Sequence, residues 1–243
     1  MIHLKKIIIV AVCSICTLNL CAQYKLSSHL DLGKSNISNG LYISNSTFFD
    51  YQYKNSTGKV GIHFNLLDQS FFPSFFTGFH ASFTQKIKIK KLYFTLQALY
   101  FSHFFSNLIH EHNYAIVEGL ELNHFSHKLG LHFRNLRFTQ EGVDQFGIVE
   151  SRSIYELFNL VYFLKYNFKP KDHPWNIGII LTNMDHFVIN QASNPMLVLD
   201  GNVKIKEKVS LYFETWFQRA GVMNISANHY GFFMRTGVLW DIK

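Results

Sequence analysis

Side chains that could carry out chemistry occur in three groups, and the first is a set of charges on two neighbouring segments. The set consists of Glu118, Glu121, His132, Arg134 and Arg137. Glu214 and Arg235 repeat the combination of carboxylate and guanidinium near the C-terminus. Facing groups of this kind form charge-assisted hydrogen bonds, and along a passage they would select solutes by charge.

Histidines form the second group, because the chain contains thirteen of them. His110, Glu111 and His112 are consecutive, and imidazole and carboxylate groups are ligands for zinc and similar metals. In a strand, however, His110 and His112 share one face while Glu111 points to the other. A chain rich in histidine also produces such a triplet by chance. The sequence therefore predicts no metal site and no cofactor.

The third group is His124 and Ser126, which are separated by one residue. A histidine that accepts the proton of a serine hydroxyl turns the serine into a nucleophile. The element resembles the His-x-Ser element of outer-membrane lipid hydrolases such as phospholipase A and lipid A deacylase. Those families continue with asparagine, where this chain has His127. The sequence has no other hydrolase motif and no phosphate loop, so a non-enzymatic protein is predicted, with a lipid hydrolase as the minor alternative.

Residues 1–22 have the pattern of a cleaved signal peptide. A positive start is followed by an apolar run from Ile7 to Leu20, which is shorter than the ~20 residues of a spanning helix. Cys21 as the lipidated residue of a lipoprotein is the alternative, which the bulky Leu20 disfavours. All three cysteines lie in this segment, so the remaining chain, 23–243, has no disulfide, thiolate or cysteine nucleophile. We expect export and one domain over 23–243.

Alternation of apolar and polar residues predicts strands throughout 23–243. All four prolines fall between the strands, since proline interrupts a ladder. The predicted strands lie near 24–33, 40–53, 58–67, 75–87, 90–104, 113–125, 127–139, 152–168, 174–188, 195–206, 208–219 and 229–242.

Lysines gather at every second turn, such as Lys54 with Lys59 and Lys86 with Lys88, and the other connections are mostly longer. An even strand count with short turns on one side is typical of bacterial outer-membrane barrels, which the mature chain resembles in pattern. A soluble sandwich is the alternative, but these strands exceed the usual length. The chain ends in Lys243 rather than the usual aromatic residue. We predict an all-β, up-and-down antiparallel transmembrane barrel of about 12 strands, integral to the outer membrane, with both termini periplasmic.

In such a barrel every second residue faces the lumen. Strand parity directs inward the residues His29, Asp31, Tyr42, Asp50, His63, Asn65, His80, Gln97, Asp200, Glu214, Trp216 and Arg235. Glu118 and Glu121 are an odd number of residues apart, as are Arg134 and Arg137, so a bulge in each strand, at Gly119 for example, is needed to turn all four inward. A hairpin centred near residues 126 and 127 would then pair Glu121 with Arg134. Mutual neutralisation in a filled barrel and a charged constriction both remain open.

Two functions follow from this reading. The first is a narrow passive channel for small hydrophilic solutes. The second is a non-conducting accessory subunit of an outer-membrane assembly, secretion or uptake complex, which would dock other outer-membrane proteins through an apolar cluster. That cluster is Phe71, Phe72, Phe75 and Phe76, which also fits an aromatic girdle. The net charge of +7 lies mostly at the turns, so we expect outer-membrane lipids rather than nucleic acid as partners.

Overall fold

The fold is a closed antiparallel barrel, seen in a computed structural model that describes residues 22–35, 41–68, 75–104, 109–147, 153–168, 173–184, 196–218 and 230–242. Within these ranges twelve strands pair each with the next along the chain, and β12 pairs with β1 to close the sheet. The strands are β1 (Gln23–Ser35), β2 (Leu41–Tyr53), β3 (Ser56–Asp68), β4 (Phe76–Ile89), β5 (Leu92–Phe104), β6 (Ile109–Leu122), β7 (Phe125–Phe138), β8 (Ser153–Asn167), β9 (Trp175–Thr182), β10 (Met196–Lys206), β11 (Val209–Gln218) and β12 (Tyr230–Asp241).

The predicted fold class is confirmed, since each predicted strand overlaps one of the strands above. The largest differences are in β6, which begins four residues earlier than predicted, and in β9, whose described part ends at Thr182. The predicted signal peptide, apart from Ala22, lies outside the described residues.

Two-residue turns join four pairs of strands at one end of the barrel, at residues 54–55, 90–91, 123–124 and 207–208. Lys54, Lys90 and Asn123 have φ angles of 50°, 56° and 40°. This left-handed conformation matches the twist of the flanking strands at three of the four turns; asparagine tolerates it, and lysine adopts it at a cost of about 1 kcal/mol. We call this end, which also carries the first residue of β1 and the last of β12, the turn end, and the opposite end the loop end.

A short helix, α1 (Gln140–Phe146), lies between β7 and β8 at the loop end, where the sequence predicts a loop. The side chain of Thr139 caps it by accepting a hydrogen bond from the backbone N–H of Gly142 at 3.1 Å. Gly147 ends it with a φ angle of 64°, a left-handed conformation that glycine adopts freely. No helix in the described ranges is long and apolar enough to cross a bilayer.

The polarity of the barrel is the inverse of that of a soluble protein. The outward positions are dominated by exposed apolar side chains on every strand, among them Leu30, Phe49, Val60, Phe83, Leu96, Ile116, Leu131, Leu160, Ile179, Leu197, Phe213 and Val238. Among the buried residues, polar and charged ones outnumber the apolar ones. A continuous apolar outer surface around a polar interior is the arrangement of a barrel that spans a lipid bilayer.

We expect the turn end to face the periplasm, because short turns lie on that side of outer-membrane barrels. Asn55 lies in a turn and Asp144 in α1, and both are exposed. In intact cells, Asn55→Cys should resist a membrane-impermeant maleimide and Asp144→Cys should react with it. Labelling of both variants after cell lysis is the control. Reaction at residue 55 alone in intact cells would reverse the orientation.

Candidate functional site

Seven charged or histidine residues were predicted to line the lumen, and five of them point inward in the structure. These are Glu121, His132, Arg134, Glu214 and Arg235. The last four expose 5% or less of their surface, as expected for side chains that point into a narrow interior.

Glu118 and Arg137, in contrast, are exposed on the outer face, so their predicted inward orientation is wrong. The pairing of β6 with both neighbours runs without a register shift, and there is no bulge at Gly119. The one irregularity of β7 is its shift against β8 after His132, which leaves Arg137 on the outward parity. Glu118 therefore lies on the apolar outer surface of the barrel, which we call the apolar belt, between its cross-strand partners Leu96 and Leu129.

Arg235 is the centre of a buried charge triad where the barrel closes. The β1–β12 register places it opposite Asp31, and the β11–β12 register places it opposite Glu214. Its Nε donates to Oδ1 of Asp31 at 2.7 Å, and its Nη1 donates to Oε2 of Glu214 at 3.0 Å. The indole N–H of Trp216 also donates to Oε2 of Glu214 at 3.0 Å. The triad carries two carboxylates and one guanidinium, with the arginine side chain only 1% exposed.

A second buried ion pair lies nearer the loop end, where Nε of Arg134 donates to Oε1 of Glu111 at 2.5 Å. Both side chains are less than 5% exposed. Beside them, Nε2 of His132 donates to the amide oxygen of Asn113 at 2.7 Å. The sequence places Glu111 in an outer loop, within the His110–His112 triplet; in the structure it belongs to β6, and strand parity turns it inward, away from the two histidines.

The predicted contact between Glu121 and Arg134 is wrong. The β6–β7 turn lies at Asn123 and His124, so Glu121 is opposite Ser126 and Arg134 is opposite Asn113. The left-handed conformation of Asn123 sets the turn there, three residues before the predicted centre. Glu121 instead accepts a hydrogen bond from Nζ of Lys86 at 2.7 Å.

A ring of inward charges, which we call the turn-end ring, surrounds the lumen near the tight turns. Its members are Asp50, Lys59, Lys86, Glu121, Lys128, Lys165 and Asp200. Three ion pairs form within it: Lys59 with Asp50 at 3.6 Å, Lys86 with Glu121 at 2.7 Å, and Lys165 with Asp200. The sequence interpretation placed most lysines at turns and did not predict the ring. The signal that could have revealed it is strand parity, which directs Lys59, Lys86, Lys128 and Lys165 inward.

Histidines and phenylalanines fill the lumen beside β1 to β5. The ring of Phe48 lies 5.4 Å from that of His29, 5.5 Å from His63 and 5.5 Å from His80. Phe101 contacts His63 on the other side, with 5.1 Å between ring centroids. The contacts are mostly edge-on or tilted, which suits the charge distribution of aromatic rings.

Apolar side chains fill the opposite half of the lumen and form the apolar luminal cluster. The cluster comprises Ala115, Val117, Val161, Phe163, Ile180, Met184, Met196, Val198 and Trp216. Exposure within it ranges from 0% at Val198 to 8% at Phe163. Side chains this inaccessible to water indicate a lumen whose middle is packed rather than open.

The geometry does not support a metal site at His110–His112 or a hydrolase site at His124 and Ser126. In the described part of the chain, no group of three or more histidine, cysteine, aspartate or glutamate side chains is placed to hold a metal ion. Ser126 is the second residue of β7, at the turn end. Nδ1 of His124 donates to the backbone oxygen of Asn167 at 2.9 Å.

The predicted docking cluster is described only in part, since Phe71 and Phe72 lie outside the described residues. Phe75 and Phe76 are 64% and 41% exposed. They continue an outward aromatic row at the loop end, with ring centroids 5.0 Å from Phe64 to Phe75 and 5.6 Å from Phe76 to Phe104. This row is the position of an aromatic girdle.

No protein-family model and no curated protein sequence matches this chain. Several solved structures match its fold. The KdgM porin superposes with a TM-score of 0.51 and 10% identity over 90% of this chain and 99% of the porin. The KdgM porin in complex with disordered oligogalacturonate gives 0.52 and 9% over 90% and 99%. An outer membrane channel from Pseudomonas putida F1 gives 0.50 and 7% over 91% and 96%. At such identities the likeness is one of fold, and the fold is that of integral outer-membrane β-barrels.

Proposed function

We propose that this protein is a narrow passive channel for small hydrophilic solutes across the outer membrane. The observation that carries the proposal is the series of charged groups along the inner wall. It runs from the Arg134 pair near the loop end, through the Arg235 triad, to the turn-end ring. Polar walls of both charge signs offer hydrogen bonds to a solute that has lost part of its hydration. The function involves no covalent chemistry, so no enzymatic activity is proposed.

The packed middle of the lumen limits the size of the solute. Val198 and Trp216 of the apolar luminal cluster are 0% and 3% exposed. A solute would pass only when these packed side chains change rotamer. We therefore expect small unit conductance and a strong dependence on the side chains at mid-lumen.

The same packing favours the second candidate, a non-conducting accessory subunit. A barrel with a filled interior is rigid and would contact a partner protein through its outer surface. Glu118, a carboxylate within the apolar belt, is the outward feature that a basic group of a neighbouring protein would neutralise. On this reading the partner is another outer-membrane protein.

Planar-bilayer recording of the purified barrel distinguishes the two functions. We expect small, stepwise conductance from the natural protein and about twofold or greater unit conductance from Trp216→Ala, which removes the largest side chain of the apolar luminal cluster. Phe213→Ala is the matched control, because Phe213 lies on the same strand and faces outward with 40% exposure. Its conductance should equal that of the natural protein.

The absence of current from both the natural protein and Trp216→Ala, with folding verified by the heat-dependent shift in electrophoretic mobility, would reject the channel. That outcome would favour the accessory subunit. Equal conductance of Trp216→Ala and the natural protein would show that the constriction lies elsewhere.

A further inference from the structure

The turn-end ring holds one more cation than its carboxylates neutralise. Its four lysines meet three carboxylates, and each carboxylate pairs with one of Lys59, Lys86 and Lys165. Lys128 has no carboxylate within ion-pair distance among the described residues. Its Nζ lies 5.4 Å from the ring centroid of Phe163. The ring therefore presents one positive charge that is directed into the lumen and not paired.

Lys128 lies in the same row of inward residues as Lys86 of the turn-end ring. The register sets Lys86 opposite Thr95, Thr95 opposite Gly119, and Gly119 opposite Lys128, so the two lysines lie in one row across four strands. Repulsion among like charges in a partly desolvated space makes an additional anion favourable there. The ring is also reachable from solution, since the side chains of Lys86 and Lys59 are 38% and 35% exposed.

The mouth of the lumen at the turn end is strongly positive as well. The exposed lysines described there are Lys25, Lys54, Lys88, Lys90, Lys91, Lys204, Lys206 and Lys208. Glu207 and Asp241 are the exposed carboxylates in the same described part of the barrel. A cleft lined by one sign of charge between low-dielectric walls concentrates ions of the opposite sign. The rim would thus raise the local concentration of anions just outside the ring.

We propose that Lys128 anchors an oxyanion-binding site inside the turn end of the barrel, which takes small solutes bearing a carboxylate or phosphate group. The inference deepens the proposed channel function and rests on it for the passage of the solute. Binding itself does not depend on conduction.

Gly119 shapes the wall beside this site. A Cβ atom at residue 119 would come within 2.5 Å of Oγ1 of Thr95 and 3.1 Å of Cγ of Lys128. Because glycine occupies the position, the hydroxyl of Thr95 and the stem of Lys128 lie close together. The Thr95 hydroxyl therefore adds a hydrogen-bond donor to the stretch of wall along which the stem of Lys128 runs.

Titration calorimetry on the natural barrel in detergent micelles tests the site, with succinate and inorganic phosphate as separate probes at constant ionic strength. We expect saturable binding that Lys128→Gln weakens at least tenfold. Lys91→Gln is the matched control, since it removes an equal charge from the exposed rim. Site-resolved acetylation by mass spectrometry provides a second readout. Succinate should protect Lys128 and leave Lys91 unprotected.

Equal binding by Lys128→Gln and the natural protein, or equal acetylation of Lys128 with and without succinate, would overturn the site. An equal loss in Lys91→Gln and Lys128→Gln would also overturn it, because the effect would then belong to the rim. Binding without bilayer conductance would reject the channel function and support the oxyanion site. Conductance without binding would support the channel function and reject the oxyanion site. Binding of one probe alone would assign the solute to that chemical group.

Discussion

Replacing Arg235 with methionine is expected to lower the free energy of unfolding by about 3–5 kcal/mol, because it leaves two largely buried carboxylates without their cation. The arginine side chain is 1% exposed and forms ion pairs with both Asp31 and Glu214. Without it, two carboxylates would face one another in a space where water cannot solvate them. Equilibrium unfolding in guanidinium chloride, after refolding into lipid vesicles, measures the loss.

Two further variants separate the charge effect from lost packing. Arg137→Met removes an exposed arginine and should change the free energy by no more than about 0.5 kcal/mol. Combining Arg235→Met with Asp31→Asn and Glu214→Gln should restore part of the stability, because no buried charge remains unpaired. A combined variant less stable than Arg235→Met alone would show that the guanidinium acts through packing on Trp216, whose ring lies 5.4 Å from its Cζ.

Arg134→Met and Glu111→Gln should each destabilise the barrel by about 3–5 kcal/mol, because each leaves the other charge buried and unpaired. The two side chains are 3% and 4% exposed and hydrogen-bonded at 2.5 Å. The double variant should lose less than the sum of the single losses, with a coupling energy of about 1–3 kcal/mol in the same unfolding assay.

The control cycle pairs Arg134 with Glu121, which are both luminal but have different partners. Glu121→Gln and Arg134→Met should be additive within about 0.5 kcal/mol. Strong coupling in this cycle, together with additivity between Arg134 and Glu111, would contradict the register of β6 and β7.

The strands and most inward positions were predictable because the signals for them are local. Alternation with a period of two is contained in each segment, and turn residues such as Asn123 mark where a strand ends. This is why Glu214 and Arg235 were placed on the inner face from sequence alone. The prediction for Glu118 was wrong because it required a bulge, for which alternation gives no direct signal. With regular pairing, Glu118 follows the outward parity of Ile116.

The ion-pair partners of the luminal charges could not be predicted from the sequence, for a different physical reason. Which side chains meet depends on register, and the predicted centre of the β6–β7 hairpin was three residues beyond the turn at Asn123. Lys86 and Glu121 lie 35 residues apart and meet across β5. Such contacts follow from the stagger of the whole closed sheet, which no single segment encodes. The turn-end ring was missed because its lysines lie close to the turns that they mark.

The triad at the closing seam also bears on the kinetics of the barrel. The hydrogen bond from Arg235 to Asp31 joins residues 204 positions apart, on the first and last strands. Contacts between distant segments form after local hairpins, since the entropy of closing the intervening chain must be met first. Interactions that are absent from the folding transition state act mainly on the unfolding rate. The triad therefore sets how long a closed barrel survives and has little influence on how fast it forms.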